Sequence, residues 1–599
     1  MNTPRQELEA RVSQAVQKLF SPVPPAPYVR PCPDSRHGDF QTNAALVGAK
    51  EAKANPRELA AKLAEVINLE GVAETPEIAG PGFLNFRLKP EYLARQVTQR
   101  WTDDRLGIPR VSNPETLVID YSGPNIAKEM HVGHLRSTIL GDALARMYCF
   151  LGHTVIADNH IGDWGTGFGM ILFGYKREGD AAKLEQDPFG HLEAIYRKIQ
   201  EEAKTDDSVR EAAKRELVLL QQGDAGNRKL WEQFNKYSLE ALDRIYQRLG
   251  VQFDYTLGES FYNDALPGVV DDLLKKGIAR DSEGAVAIFS EGKLPQKDDP
   301  FLVSDKDGFR DNPLLVRKSD GGYNYATTDL ATIRYRHEHF KAKRSIYVVG
   351  GPQQMHFRQL FDAARRWDYA GMKLEHVWFG TILGENRKPF KSREGDNVKL
   401  KALLAEAEER AGTIIAEKRP DLEEHKRAAL ARIIGLGALK YADLAQNRNL
   451  DYVFSWEKLL AFDGNTAPYL QNAYVRTRSI FRKAGEQTVA DIFHKIRGLV
   501  DLDPATPSIH LAEPAELALA RKLLDFADSI VMAAEEYRPH YLCLYLFELA
   551  TLFHRFWENC PVLTAEEPIR NSRLVLCDLT GRTLAQGLNL LGIEVVEQM

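Results

Sequence analysis

The spacing of apolar residues in the middle of the chain alternates between a strand pattern and a helix pattern. Residues 116–121 and 154–158 are short apolar runs of strand length. Between them, residues 133–151 place apolar side chains on one broad helical face. This order predicts a β-α-β unit of a parallel sheet. Apolar runs at 285–289 and 345–349 predict further strands.

The two ends of the chain have different patterns. Near the amino end, residues 56–67 have helical spacing, and residues 82–88 largely alternate apolar and polar side chains from Leu84 onward. These segments predict a small α+β domain. Beyond about residue 400 almost every segment has helical spacing, which predicts an all-α region. A charged helical stretch at about 180–250 is predicted to be an insertion in the α/β region.

Composition limits the class of protein and its compartment. The 599 residues are 44% hydrophobic and 27% charged, which is ordinary for globular domains, and a net charge of −6 confines any nucleic-acid contact to local basic patches. Five cysteines without a Cys-x-x-Cys pair indicate a reducing compartment and argue against a zinc ribbon. The amino end has no apolar leader, and the most apolar run, residues 541–557, is short and contains charges. We therefore expect a cytoplasmic protein without membrane contact.

A His-Val-Gly-His tetrad at residues 131–134 opens the central predicted helix. It lies at the carboxyl edge of the predicted sheet, where unpaired N–H groups and the helix dipole favour an anion such as phosphate. Gly133 leaves room for a flat group such as adenine, and Lys128 adds a positive charge. A metal pair would need further ligands, and no matching cluster is evident. A helix cap without chemistry remains the other interpretation of His131 and His134.

A second polar segment lies far downstream, between Gly384 and Gly395. It contains Lys388, Lys391 and Ser392, and its glycine-flanked loop could close over a polyphosphate with the ammonium groups as point charges. Taken alone, the segment is more typical of a solvated surface loop.

Together the two segments resemble the signatures of class I aminoacyl-tRNA synthetases, His-Ile-Gly-His and Lys-Met-Ser-Lys-Ser. Here they read His131-Val-Gly-His134 and Lys388-Pro-Phe-Lys-Ser392. Other stretches resemble the arginyl-tRNA synthetases over nearly the whole chain: 37–43, 124–137, 160–165, 325–329, 353–356, 437–444 and 462–469. Pro389 and Phe390 depart from the second signature, which leaves the role of Lys388 less defined than that of Lys391.

The resemblance implies a multidomain α/β protein with a Rossmann-like, parallel-sheet catalytic domain. This domain, with its insertion and helical stem, would span residues 113–462. Residues 1–112 would form an α+β domain that contacts the tRNA elbow, and residues 463–599 an α-helical anticodon-binding domain. The implied subunit is a monomer.

The resemblance also implies the reaction. The enzyme would activate L-arginine with ATP to arginyl-adenylate, releasing diphosphate. It would then transfer arginine to the 2′-OH of the terminal adenosine of tRNA(Arg), giving arginyl-tRNA and AMP. Mg²⁺ would arrive with ATP, and no zinc is expected in the protein.

The implied roles distribute over three groups of residues. The catalytic group is His131, His134, Lys128 and Lys391, and the ATP-binding group adds Gly133, Lys388 and Ser392. A guanidinium binds best to carboxylates that accept two parallel hydrogen bonds from it. The candidates for the arginine pocket are Asp120, Asn125, Glu259, Tyr325, Asp329 and Gln353. Among these, Asn125 and Gln353 would hold the α-amino group. Without the resemblance, Asp120 would be interpreted as a strand-end cap and Asp329 as a helix N-cap.

Basic residues with aromatic neighbours in the helical region are candidates for tRNA contact. Tyr469, Arg476 and Arg478 could stack on bases and follow the RNA backbone. A solvated helix face with core aromatics is the alternative. Two rival functions are a small nucleotidyltransferase, which the chain length disfavours, and a non-catalytic RNA-binding paralogue, which the intact signatures disfavour.

Overall fold

The computed structural model describes residues 2–599 except 22, 35, 307, 389, 391–397 and 503–507. Its first region is a small α+β unit whose strands form an antiparallel sheet in the order β1-β2-β4-β3. Thr3 caps the first helix, and the apolar face of that helix is buried. The elements are α1 (Pro4–Leu19), β1 (Val29–Pro31), β2 (Phe40–Thr42), α2 (Ala44–Ala52), α3 (Pro56–Val66), β3 (Glu77–Ala79), β4 (Phe83–Phe86) and α4 (Pro90–Thr102).

The second region is an α/β domain with a long helical insertion. Its elements as far as the insertion are β5 (Thr116–Asp120), α5 (Val132–Leu151), β6 (Thr154–Asp158), α6 (Thr166–Glu178), α7 (Ala181–Gln186), α8 (Pro188–Thr205), α9 (Asp207–Gln221) and α10 (Ala225–Leu249). They continue with α11 (Leu266–Lys275), β7 (Ala279–Ser282), β8 (Ala285–Ile288), β9 (Leu302–Asp305), β10 (Gly308–Asp311), β11 (Leu314–Arg317), α12 (Tyr325–Glu338), β12 (Arg344–Tyr347), α13 (Gln354–Ala364), β13 (Lys373–His376) and β14 (Ile382–Leu383).

The central sheet of this domain is parallel throughout, in the order β13-β12-β5-β6. The predicted β-α-β unit is confirmed as β5-α5-β6, and the strand predicted near residue 345 is β12. Asp120 ends β5 directly opposite Tyr347 of β12 and Asp158 of β6. The carboxyl edge of the sheet therefore brings two aspartates together, next to the start of α5.

The strand predicted at 285–289 exists as β8, but outside the parallel sheet. It lies in an antiparallel sheet of order β11-β8-β7. A tight turn joins β7 to β8, with Glu283 and Gly284 both at positive φ, which forces neighbouring strands to run in opposite directions. This small sheet packs with α11 and α12 in a second hydrophobic core that also includes Val118 and Tyr347 of the central sheet.

The third region is helical, as predicted. Its elements are α14 (Leu400–Lys418), α15 (Glu424–Leu444), β15 (Tyr452–Val453), α16 (Trp456–Leu459), α17 (Ala467–Ala484), α18 (Glu486–Leu502), α19 (Pro514–Leu524), α20 (Phe526–Glu535), α21 (His540–Asn559) and α22 (Ile569–Leu590). None of the helices in the described part of the chain combines the length and apolar character that crossing a bilayer requires.

The amino-terminal region packs against this helical region. Arg5 pairs with Asp528 at 2.9 Å, and the indole Nε1 of Trp101 donates to Asp578 at 3.0 Å. Trp101 is completely buried, so the contact is part of the core rather than a surface touch. The α/β domain is therefore flanked by two regions that also contact each other.

Candidate active site

The tetrad at the start of α5 forms a reciprocal helix cap. His131 is the N-cap residue, and its Nδ1 accepts from the Gly133 N–H at 3.1 Å. The Nδ1 of His134 accepts from the His131 N–H, also at 3.1 Å. In a neutral imidazole one nitrogen accepts and the other carries the hydrogen, so Nε2 is the donor in both rings. In each ring, Nδ1 therefore serves the helix cap while the Nε2–H can donate to a ligand.

Both rings are neutral at physiological pH. Burial lowers the pKa of His131, and burial, with the His131 ring nearby, lowers the pKa of His134 to about 3. The histidines can therefore offer hydrogen bonds to a phosphate but no positive charge. Gly133 is required for the cap itself, since a Cβ there would lie 2.9 Å from Cε1 of His131.

A cavity of about 350 Å³ opens at this helix start. It is lined by Asn125, Lys128, Glu129, His131, His134, Glu193, Tyr196, Arg197, Gln200 and Lys399. The Lys128 ammonium lies 4.1 Å from the centre of the Tyr196 ring, on insertion helix α8. The Lys399 ammonium pairs with Glu129 and lies 3.7 Å from Glu193, also on α8. Two lysines therefore supply the positive charge that the histidines lack.

Backbone hydrogen bonds join the segment after the second signature to the first signature at the start of α5. Val132 N–H donates to the Val398 carbonyl at 3.0 Å, and Leu400 N–H donates to the Met130 carbonyl at 2.8 Å. Before the signature, Gly384 N–H donates to the Lys388 carbonyl at 2.8 Å in a tight turn, and Lys388 is exposed. Lys391 and Ser392 lie outside the described residues, so their roles stay predictions.

The predicted arginine-pocket residues on α12 lie on one face of that helix. Tyr325 is its first residue, and the Tyr325 ring lies 4.8 Å from the ring of His356 on α13. The Asp329 carboxylate accepts from Nε2 of His356 at 2.6 Å. Asn324, not Asp329, is the N-cap of α12. The helix-cap interpretation of Asp329 is therefore wrong, because the helix starts a full turn earlier.

Glu259 faces the same acidic environment. Burial raises the pKa of the Glu259 carboxyl; His160 opposes the shift, and the charges of Asp329 and Asp163 add to it. Within the part of the chain that the structure describes, neither Glu259 nor Asp329 pairs with a lysine or arginine. Two neighbouring carboxylates that have no lysine or arginine partner in the described part of the chain are suited to a cationic ligand.

Asp120 has a different surrounding from the one expected. Its carboxylate accepts from the Arg336 guanidinium at 2.7 Å, and Asp158 accepts from the same nitrogen at 2.8 Å. Asp120 is therefore not a simple strand-end cap, and one of its oxygens is already bonded to an internal arginine. Burial raises the pKa of Asp120, and the Arg336 charge opposes that shift.

The two candidates for the α-amino group are both exposed. Asn125 pairs in a parallel bridge with Gly162, and a Cβ at Gly162 would lie 2.2 Å from the Asn125 Oδ1. The glycine is therefore what lets the Asn125 side chain lie against that backbone. Gln353 is exposed and ends the short 3₁₀ turn before α13.

Comparison with known proteins decides the family. Residues 96–456 match the family model "tRNA synthetases class I (R), catalytic domain", residues 6–88 match "Arginyl tRNA synthetase N terminal domain", and residues 470–599 match "DALR anticodon binding domain". An arginine–tRNA ligase of Cellvibrio japonicus is 45% identical over 99% of this chain and 100% of the relative. The chain belongs to the arginyl-tRNA synthetase family. A Thermobifida fusca arginine–tRNA ligase is also 45% identical, over 100% of both chains.

Solved structures agree with this synthetase assignment. The Plasmodium falciparum arginyl-tRNA synthetase superposes with a TM-score of 0.81 at 27% identity and covers 100% of both chains. The Thermus thermophilus arginyl-tRNA synthetase gives 0.80 at 26% identity, over 99% of this chain and 100% of that one. The predicted class I architecture, with its α+β amino-terminal and helical carboxyl-terminal regions, is thereby confirmed.

The predicted tRNA contacts of this synthetase lie on α17 and already have partners within the chain. Arg476 lies 2.9 Å from Nδ1 of His554, and Arg478 pairs with Glu597 at 2.9 Å. The Tyr469 ring packs near His554, at 5.1 Å. Because Arg478 and Glu597 are an exposed pair of low stability, a phosphate could replace Glu597. Tyr469, Arg476 and Arg478 stay predictions.

Sequence reasoning missed three side chains that the structure brings to the synthetase site: Arg336, His356 and Lys399. Arg336 lies two helical turns beyond Asp329 on the same face of α12, and this spacing is the sequence feature that could have pointed to it. His356 belongs to the stretch 353–356, which resembles the family, but the sequence alone assigns no role to this histidine. Lys399 reaches the cavity through backbone pairing with His131, which no local pattern reveals.

Proposed function

We propose that the start of α5 holds the phosphates of ATP while the acidic pocket beside α12 holds L-arginine. The chain is an arginine–tRNA ligase: it activates arginine with ATP and transfers it to the 2′-OH of the terminal adenosine of tRNA(Arg). The single observation that carries the residue assignment is the pair Glu259 and Asp329, two neighbouring carboxylates without a lysine or arginine partner among the described residues. A guanidinium would complete this pair.

The first step is an attack by the arginine carboxylate on the α-phosphorus of ATP. One P–O bond forms, the bond to the β-phosphate oxygen breaks, and diphosphate leaves with the electron pair. Two anions must approach, so neutralisation and alignment supply most of the acceleration. The Nε2–H groups of His131 and His134 donate to phosphate oxygens, and Lys128 and Lys391 supply charge. Lys388 and Ser392 would assist from the second signature, and Gly133 from the helix start.

The second step transfers the arginyl group. The 2′-OH of the terminal adenosine attacks the activated carbonyl, and a new C–O bond forms. The bond between the carbonyl carbon and the phosphate oxygen breaks, AMP leaves with the electron pair, and the hydroxyl proton passes to the departing phosphate or to water. Asn125 and Gln353 would hold the α-amino group during both steps, with Tyr325 beside the guanidinium pocket and Asp120 at its inner end. Mg²⁺ would accompany ATP and neutralise its phosphates; within the described residues no group of three histidine, cysteine or acidic side chains is suited to hold a metal.

The division of the chain follows the same proposal. Residues 1–112 would contact the tRNA elbow, residues 113–462 would carry the catalysis, and residues 463–599 would bind the anticodon. Tyr469, Arg476 and Arg478 would contribute to that last surface. We further propose a cytoplasmic location, in keeping with the cysteine pattern, and a monomeric subunit.

Asp329→Asn tests the arginine pocket. Asparagine keeps an oxygen that can accept from His356 but removes the charge that faces the guanidinium. A buried cation without its counter-charge should cost on the order of 3 kcal/mol, or about a hundredfold in kcat/KM for arginine. The KM for ATP should stay within about twofold, because the phosphates lie at the start of α5.

Asp320→Asn is the matched control. Asp320 is exposed and accepts from the Gly322 N–H at 2.9 Å in a turn, so its charge should not matter. Charging of tRNA and thermal stability are measured for both variants. Wild-type kcat/KM for arginine in Asp329→Asn would exclude the pocket assignment.

A further inference from the structure

Arg336 is a completely buried cation on α12, two helical turns beyond Asp329. Its guanidinium is 0% exposed and bonds Asp120 and Asp158 from one nitrogen. A second nitrogen donates to Ser345 Oγ at 3.3 Å, and the guanidinium lies 5.0 Å from the centre of the Tyr347 ring. Burial alone would lower the pKa of Arg336, but Asp120, Tyr347 and Asp158 outweigh burial and raise it. Arg336 is therefore a permanent charge.

Asp120 and Asp158 need this cation. They end adjacent parallel strands in register, so their carboxylates would face each other across the sheet edge without Arg336. Two buried like charges at such a distance cannot both remain ionised at neutral pH. One of them would take up a proton or bind another cation. Arg336 thus decides the charge and the orientation of Asp120.

The face of α12 that carries Arg336 also carries the pocket. Along this face Tyr325 is 58% exposed, the Asp329 side chain is 22% exposed, and Arg336 is 0% exposed. Exposure thus falls along this face of the helix from Tyr325 to Arg336. An incoming guanidinium meets Asp329 first and would meet a like charge if it went further.

We propose that Arg336 is a positioning and specificity-determining residue for arginine. It occupies Asp120 and Asp158, so that these two carboxylates do not compete for the guanidinium with Glu259 and Asp329, which have no lysine or arginine partner among the described residues. The bound guanidinium is then held at one depth, which fixes the distance between its carboxylate and ATP. This inference rests on the proposed assignment of Glu259 and Asp329 to the arginine pocket.

Arg336→Met removes the cation and keeps an apolar side chain of similar length. We expect kcat/KM for arginine to fall at least thirtyfold, with the KM for ATP within about twofold of the wild type. Arg336→Lys keeps the charge but not the planar set of guanidinium donors, and its kcat/KM for arginine should fall about fivefold to tenfold. The double variant Asp158→Asn/Arg336→Met removes an acid together with the cation and should recover at least part of the loss seen in Arg336→Met.

Arg573→Met controls for the loss of a buried ion pair as such. Arg573 bonds Glu516 at 2.6 Å within the helical region, far along the chain from the pocket. A structural role alone would make Arg336→Met resemble Arg573→Met, with lower thermal stability and unchanged kinetic constants for the folded fraction. That result, or an equal loss of ATP and arginine affinity, would overturn the proposal.

The outcomes also separate this inference from the pocket assignment. Loss of arginine kcat/KM in Asp329→Asn but not in Arg336→Met would overturn the role of Arg336 alone. Wild-type values in both variants would overturn the pocket. If Arg336→Met does not fold, Arg336→Lys decides, because wild-type kcat/KM in that folded variant contradicts the positioning role.

Discussion

His134 performs two tasks with two different nitrogens, and amide side chains can separate them. Its Nδ1 accepts from the His131 N–H at 3.1 Å, and its Nε2 carries the hydrogen that can reach a phosphate. His134→Asn places an acceptor near the position of Nδ1 and removes the distal donor. His134→Gln places a donor near the position of Nε2 and removes the near acceptor.

The magnitudes follow from these contacts. A hydrogen bond to a charged phosphate contributes about 1.5–3 kcal/mol, so losing it should lower kcat about 10- to 150-fold. Losing the capping contact costs about 0.5–2 kcal/mol of stability, which shifts Tm by only about 2 °C in so large a chain. Because the pKa of His134 is lowered to about 3, the ring is neutral and the kcat ratio should not change between pH 6.5 and 8.

The assay is tRNA charging at saturating ATP, with Tm measured on the same samples. His134→Asn should be slow and nearly as stable as the wild type, and His134→Gln should be faster than His134→Asn but less stable. His153→Asn is the control, because its Nδ1 accepts from the Glu115 N–H at 3.2 Å and it does not line the cavity. If His134→Asn charges tRNA at the wild-type rate, the tetrad only caps the helix and the phosphate role is refuted.

Two further predictions concern other parts of the chain. Lys391→Ala should lower kcat for arginine activation far more than it raises the KM for ATP, since its charge is expected to act mainly in the transition state; wild-type kcat at saturating ATP would rule this out. Burial raises the pKa of Asp525 to about 7, with Lys522 opposing and Asp528 adding to the shift, so the folded chain holds a proton that the unfolded chain releases above about pH 4. Stability is therefore lost as the pH rises from about 4 to about 7, and Asp525→Asn should raise Tm by about 2 °C or more at pH 8 but not at pH 4. Equal Tm values at pH 8 would contradict this.

Local patterns predicted the elements that local forces determine. The observed bounds of β5, β6 and α5 lie within about one residue of the predicted ones. Strands of a parallel sheet are buried on both faces, and their sequences are therefore continuous apolar runs that can be recognised locally. The direction of β8 could not be predicted this way, since pairing depends on the turn and on distant partners. The arrangement of Asp120 and Asp158 follows from register, which the spacing of residues within each strand does not specify.

Charged residues were the least predictable part of the site. Arginine is almost never completely buried, so nothing local marked Arg336 as a core residue; it becomes one because two aspartates end adjacent strands below it. Asp120 was expected to face the substrate, yet one of its oxygens already bonds Arg336. A sequence shows which acids could bind a guanidinium, but only packing shows which of them already does.

The cations of the site fall into two kinds, and the difference bears on how each step works. Lys399 is 52% exposed and held by glutamates, and Lys128 lies against the Tyr196 ring, so both have contacts that a phosphate could replace at little cost. Arg336 is 0% exposed, and removing it from its aspartates would leave uncompensated buried charge. Cations that neutralise phosphate charge must move as that charge develops, whereas a cation that sets the depth of a pocket must stay fixed. We therefore expect the two lysines at the ATP cavity to change partners when ATP binds, while Arg336, Asp120 and Asp158 keep theirs throughout the reaction.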